Sequence, residues 1–154
     1  MSAAKIAYRA ERIYMTSNTT YALARAYQGD TLLEIALQPL ESGSKFTLNN
    51  ILFDLDESTL KPSSERELNL LLQWLLEREE TQIKVVGHTD NQGSASYNLG
   101  LSKRRAAAVV QWLVDHGVAR ERLTSSGRGS TEPVATNETP EGRALNRRTE
   151  VEVR

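Results

Sequence analysis

The feature that most constrains the fold is an amphipathic segment from about residue 95 to residue 116. Its apolar residues recur at about 100° per residue, so they fall on one face of a helix. These residues are Leu101, Ala108, Val109, Trp112 and Leu113. Gly117 follows directly and is the residue type that commonly ends a helix. A helix with an apolar face must bury it, so the chain must supply a second layer.

Short apolar segments around this helix predict that second layer. Residues 46–55 alternate in hydrophobicity, with one slip at Asn49-Asn50 that a β-bulge would explain. A capping-box pattern at residues 64–67 begins an earlier helix. Three more segments are typical of strands: residues 83–86, 123–126 and 151–153.

The order of these elements is strand, helix, strand, helix, strand, loop and strand, with the loop at residues 127–142. It predicts an α/β fold, a two-layer sandwich in which the helices cover one face of a mixed sheet. Strands joined through helices should be parallel with right-handed crossovers, whereas the last strand is free to pair antiparallel.

The N-terminal region shows a different sequence pattern from residues 46–154. Leu33, Ile35 and Leu37 alternate with less apolar residues, and Pro39 ends the strand that they predict. Residues 6–27 fit one strand, two strands or a loose arm. We therefore expect residues 1–45 to be a strand-containing arm or the end of an upstream module, and residues 46–154 to be one domain.

Composition excludes several classes of protein. The formal charge of −1 gives no reason to expect nucleic acid as a partner, and the absence of cysteine excludes disulfides and thiolate metal sites. We expect no cofactor and no metal. No apolar run reaches the roughly 18–20 residues of a membrane span. Lys5 and Arg9 lead into no apolar core of a signal peptide, so any targeting segment is expected outside a fragment such as this.

Asn98 and Arg105 interrupt the apolar face of the long helix and lie two turns apart. A charge on such a face costs several kcal/mol unless it is paired. Arg105 therefore needs a carboxylate of this chain or of a ligand. Asp90 follows the strand at residues 83–86, at the sheet edge where open α/β sheets bind ligands.

The Asp90–Arg105 combination has two interpretations, which spacing does not separate. The two side chains form a buried structural ion pair, or they grip a zwitterion, with its ammonium on Asp90 and its carboxylate on Arg105. His88 has no metal-ligand companion at motif spacing. No nucleophile stands with a base and an orienting group, so we expect no catalytic residue.

A series of ordered motifs runs through the second region. They include Phe53-Asp54, Gly87-His88-Thr89-Asp90, Tyr97-Asn98, Leu101-Ser102-x-x-Arg105-Ala106, Gly127-x-Gly129, Gly142-Arg143 and Asn146-Arg147-Arg148. Together they resemble the OmpA-like C-terminal domain shared by OmpA, the peptidoglycan-associated lipoprotein and the MotB stator protein. The resemblance covers roughly residues 47 to 154.

The resemblance implies that Asp90 and Arg105 hold the diaminopimelate side chain of the peptidoglycan stem peptide. Further pocket residues implied by it are Thr89, Asn98 and Arg147. It also favours Arg148 pairing with surface acids. Asp56 is a weaker candidate for the pocket. Many relatives have an asparagine at this position, and Asp56 can accept a hydrogen bond but cannot donate one as an amide does.

The implied function is non-covalent binding that tethers the outer membrane, or an envelope protein, to the cell wall. The implied location is the periplasmic face of the outer membrane of a Gram-negative bacterium, and the sequence allows a homodimer. A wall hydrolase would need two carboxylates, such as Asp90 with Asp54 or Asp56, but Arg105 would hold Asp90 ionised. A stator domain would need an upstream membrane helix.

Overall fold

The computed structural model describes residues 7–16, 19–28, 31–39, 42–48, 53 and 58–154. The chain divides into two compact units, residues 1–42 and residues 43–154. In the first unit β1 (Ala7–Thr16), β2 (Thr19–Gln28) and β3 (Thr31–Pro39) form an antiparallel sheet in that order. The strand predicted to end at Pro39 is confirmed, and the ambiguous stretch before it forms two strands.

The second unit contains a four-stranded sheet of β4 (Lys45–Leu48), β5 (Ile83–His88), β6 (Leu123–Gly129) and β7 (Thr149–Val153). The strand order is β4-β7-β5-β6. β5 and β6 are parallel, and β7 lies antiparallel to both β4 and β5. The mixed sheet of a two-layer α/β sandwich is therefore confirmed. The bulge predicted at Asn49-Asn50 lies outside the described residues.

Three helices are present in the described part of this unit: α1 (Glu65–Glu77), α2 (Ala95–Asp115) and α3 (Pro140–Asn146). None of them is both long and apolar enough to span a membrane. The sequence predicted α1 and α2, but α3 lies partly in the segment predicted as a loop. α3 is short and begins with a proline, and the Thr139 side chain accepts a hydrogen bond from the Gly142 N–H (3.1 Å).

The capping box predicted for α1 is wrong. A 3₁₀ turn at Pro62–Ser64 precedes the helix directly and gives Ser64 a helical backbone (φ −79°, ψ −16°). Its side chain makes no capping hydrogen bond, because a cap residue needs an extended backbone to turn its oxygen towards the first helical N–H groups.

The core lies between the helices and the sheet. Leu101 and Val109, on the helix face predicted to be buried, lie in this core, and α1 contributes Leu68, Leu71 and Leu75. Trp74 is also in the core, with 1% of its surface exposed. Trp112 was predicted to be buried but is only partly so. Its ring stacks on the exposed His116 one turn later, with centroids 3.8 Å apart.

The N-terminal half of α2 lies unusually close to the sheet. A Cβ atom at Gly87 would meet the Ser102 carbonyl, and one at Gly127 would meet the Ser102 side chain. The Ser102 hydroxyl donates to the Leu99 carbonyl (2.9 Å) and accepts from the Gly129 N–H (2.9 Å). This contact fixes α2 against the carboxyl ends of β5 and β6, where the candidate site lies.

Candidate functional site

The site is built around the turn that follows β5. Thr89 is buried; its N–H donates to the Gly129 carbonyl (2.9 Å), and its hydroxyl donates to the Asp90 carbonyl (2.8 Å). Asp90 Oδ1 accepts a hydrogen bond from the Gln92 N–H (3.0 Å). Gly93 then has φ +90°, a conformation that favours glycine. The turn therefore holds the Asp90 carboxylate in one orientation.

Asn98 braces this turn from α2. Its side chain is 3% exposed, and Nδ2 donates to the carbonyls of Asp90 (3.3 Å) and Gln92 (2.9 Å). Both amide hydrogens are thus used by the backbone of the turn. The predicted proximity of Asn98 to Asp90 is confirmed. The contacts give Asn98 a positioning role, whereas direct contact with a ligand stays a prediction.

The second Asp90 oxygen is held by an arginine from the other end of the chain. Arg147 Nη1 lies 2.6 Å from Asp90 Oδ2. The Asp90 side chain is 12% exposed and the Arg147 side chain 43% exposed, so Arg147 covers the carboxylate from the solvent side. Sequence reasoning expected Arg147 in the pocket but did not predict this ion pair.

Arg147 is positioned by a buried amide that sequence reasoning missed. Asn146 is fully buried, and its Oδ1 accepts from the backbone N–H groups of Val134 (2.8 Å) and Ala135 (2.9 Å). Its Nδ2 donates to the Ala135 carbonyl (2.9 Å) and to Asn137 Oδ1 (2.9 Å). In the sequence, Asn146 stands out only as an asparagine directly before two arginines. Its neighbours in the chain do not indicate that its side chain makes four hydrogen bonds.

Arg105 lies on the same face of α2 as Asn98. It is 9% exposed, so the predicted burial of this charge is confirmed. Its guanidinium carbon lies 5.1 Å from the centre of the Phe53 ring, within the range of a cation–π contact. Phe53 is held by an antiparallel bridge to Leu60. Asp56, the remaining predicted site residue, lies outside the described residues.

His88, at the end of β5, belongs to a neighbouring polar cluster. Its Nε2 lies 3.3 Å from Glu150 Oε2, without the alignment of a hydrogen bond. Burial, followed by the charge of Arg148, lowers the pKa of His88 below its ordinary 6.5. Burial opposes ionisation of Glu150, but the hydrogen bond and charge of Arg148 lower the pKa of Glu150. At neutral pH the lowered pKa favours the uncharged form of His88 beside the Arg148–Glu150 ion pair.

This cluster is structural. Arg148 Nε donates to Glu150 Oε1 (2.8 Å), and Arg148 Nη2 donates to the Glu132 carbonyl (3.0 Å). Arg148 thus pairs with an acid as predicted, although its side chain is only 8% exposed. Within the described ranges, no group of three His, Asp or Glu side chains is placed to hold a metal ion.

The sequence matches a known protein family. The OmpA family model matches residues 52–147. Outer membrane protein A of Bordetella avium is 40% identical over 124 residues, which are 77% of this chain and 64% of that protein. The peptidoglycan-binding protein ArfA of Mycobacterium tuberculosis is 41% identical over 103 residues, covering 67% of this chain and 32% of that protein.

A solved structure shows the same architecture. The peptidoglycan-associated lipoprotein from Burkholderia pseudomallei superposes with a TM-score of 0.64 at 29% identity, over 68% of this chain and 88% of that chain. The curated relatives are longer than the matched region: this chain spans 64%, 32% and 47% of the first three.

Proposed function

Because the chain belongs to the OmpA family, we propose that its second unit binds peptidoglycan non-covalently and anchors an envelope protein to the cell wall. The family is non-enzymatic, so the expectation that this domain is not an enzyme is confirmed, and the wall-hydrolase alternative is wrong. The proposed location is the periplasmic side of the outer membrane, in line with the outer membrane proteins and lipoproteins among its relatives.

The proposed ligand is the diaminopimelate residue of the stem peptide, and the contact of Asn98 with Asp90 carries this proposal. That contact places the turn of Asp90 in front of the α2 face that also bears Arg105. Arg105 follows two turns later, about 10 Å along the helix axis, and helical side chains lean towards the N-terminus. A zwitterionic end group would then meet a carboxylate at one end and a guanidinium at the other.

Binding to purified sacculi tests the proposed function. The protein should co-sediment with sacculi and release no muropeptides. Protein that stays in the supernatant would contradict cell-wall binding.

Diaminopimelate specificity is tested separately, by titrating stem peptides that contain diaminopimelate or lysine. Lysine lacks the second carboxylate, so its peptide loses a charge-assisted hydrogen bond worth about 1.5–3 kcal/mol, or roughly 10- to 150-fold in affinity. Equal affinity for the two peptides would contradict the diaminopimelate assignment but leave cell-wall binding intact.

Arg105→Ala tests the residue to which the carboxylate is assigned. Removing one member of a buried charged contact costs about 2–5 kcal/mol, roughly 30- to 3,000-fold in affinity. Arg105→Lys should rescue poorly, because an ammonium cannot donate in the bidentate geometry of a guanidinium. A matched control is Arg154→Ala, since Arg154 is half-exposed and follows the end of β7 that pairs with the start of β5.

Melting curves recorded beside the binding assays separate the two interpretations of Arg105. A purely structural arginine would lose stability first and binding second. Full binding by a folded Arg105→Ala protein would remove Arg105 from the proposed site.

A further inference from the structure

The Asp90 carboxylate, to which the ligand ammonium is assigned, is already engaged in this structure. Oδ1 accepts from the Gln92 N–H (3.0 Å), and Oδ2 accepts from Arg147 Nη1 (2.6 Å). Resting on the proposed function, we propose that Arg147 determines specificity: it occupies the position assigned to the ligand ammonium and selects ligands that carry a carboxylate beside the ammonium.

The burial of the two partners supports this assignment. The Asp90 side chain is 12% exposed, whereas the Arg147 side chain is 43% exposed. An ammonium that approaches from solvent therefore meets the guanidinium before it meets the carboxylate. Displacing Arg147 uncovers Asp90, and the turn around Asp90 does not need to move.

Only the side chain of Arg147 has to move. Its backbone N–H donates to the Arg143 carbonyl (3.0 Å), and the preceding residue, Asn146, is locked by its four hydrogen bonds. The side chain beyond this anchor has several rotatable bonds and is partly in solvent. Arg147 therefore swings out and returns at little cost to the fold.

The exchange explains why a zwitterion is favoured. A plain cation replaces one ion pair of Asp90 with another and leaves the Arg147 guanidinium in solvent. A zwitterion also replaces the pair, but its carboxylate, besides binding Arg105, then accepts a hydrogen bond from the released guanidinium, whose fork of donors a lysine lacks. The same residue thus weakens binding of simple cations and strengthens binding of diaminopimelate.

The test compares two probes of the same length: meso-diaminopimelate, and 1,5-diaminopentane, which is the same chain without carboxylates. In Arg147→Gln, diaminopentane should bind about two- to fivefold more tightly, the range for an ion pair between partly exposed groups. Diaminopimelate should bind about tenfold more weakly, because its carboxylate loses a charged donor. Calorimetry or NMR titration measures both affinities.

Two controls define the result. Arg154→Gln removes the same charge at the other end of the sheet and should leave both affinities unchanged. Arg147→Lys still pairs with Asp90 as a point charge, so diaminopentane affinity should hold while diaminopimelate affinity falls. Affinities for the two probes that move in the same direction in Arg147→Gln, or that do not move, would overturn the inference.

Different results would contradict the inference and the proposed function. If the wild-type protein binds sacculi but Arg147→Gln shifts both probe affinities in the same direction, only the role of Arg147 is contradicted. If the wild-type protein does not bind sacculi but Arg147→Gln shifts the two probe affinities in opposite directions, cell-wall binding is contradicted. The role of Arg147 in controlling access to Asp90 is then still supported.

Discussion

Replacing Asn146 tests how much one buried amide contributes to the unit that holds the candidate site. Asn146→Ala removes four hydrogen bonds and leaves the N–H groups of Val134 and Ala135 without their partner. Each bond contributes about 1 kcal/mol net, and stranded buried groups add to the cost. Because these contacts are only part-buried, we expect a loss of about 3–4 kcal/mol in the free energy of unfolding.

Urea denaturation followed by tryptophan fluorescence measures this loss. The chain has two tryptophans, Trp74 and Trp112, and both lie in the second unit, so the signal reports that unit alone. Asn137→Ala removes one of the four bonds and should cost about 1 kcal/mol. The four Asn146 hydrogen bonds would not be what stabilises residues 134–137 if Asn146→Ala lost less than about 1 kcal/mol of unfolding free energy, or no more than Asn137→Ala.

Two further predictions concern the sheet. Unfolded His88 takes up a proton below about pH 6.5 that the folded state resists, so wild-type stability should fall as pH drops below that value. His88→Gln should flatten this part of a profile of urea midpoint against pH, and a flat wild-type profile would contradict the lowered pKa of His88. Gly127→Ala should cost about 1–3 kcal/mol, because its Cβ meets Ser102 and pushes α2 outward. Gly100→Ala, beside only the flexible end of an arginine, should cost nothing, and equal stability of the two variants would show that the helix–sheet contact yields easily.

Periodicity predicted the elements with strong patterns and missed the weak one. α2 was expected at about residues 95–116 and spans Ala95–Asp115, because its apolar face repeats over several turns. α3 has seven residues, too few for such a repeat, and only Thr139-Pro140 signals its start. Trp112 shares the apolar face by angle but is only partly buried, and its ring stacks on the exposed His116.

The candidate site was predictable where it is local. Asp90 and Asn98 lie eight residues apart, across a single strand-to-helix turn, and both were expected near each other. The Arg147–Asp90 ion pair joins residues 57 positions apart and depends on how β7 returns beside β5. Spacing along a chain carries no information about such a contact, and the family resemblance brought Arg147 into the site without naming its partner.

The close contact between α2 and the sheet has a consequence for how this domain can change over evolutionary time. Gly87, Gly127 and Ser102 fill one another's space, so a larger side chain at one position needs a smaller neighbour or a shifted helix. A shifted helix would carry Asn98 away from the turn that it braces. These three positions should therefore be retained as a set among relatives that keep the site, and they should drift together in relatives that have lost it.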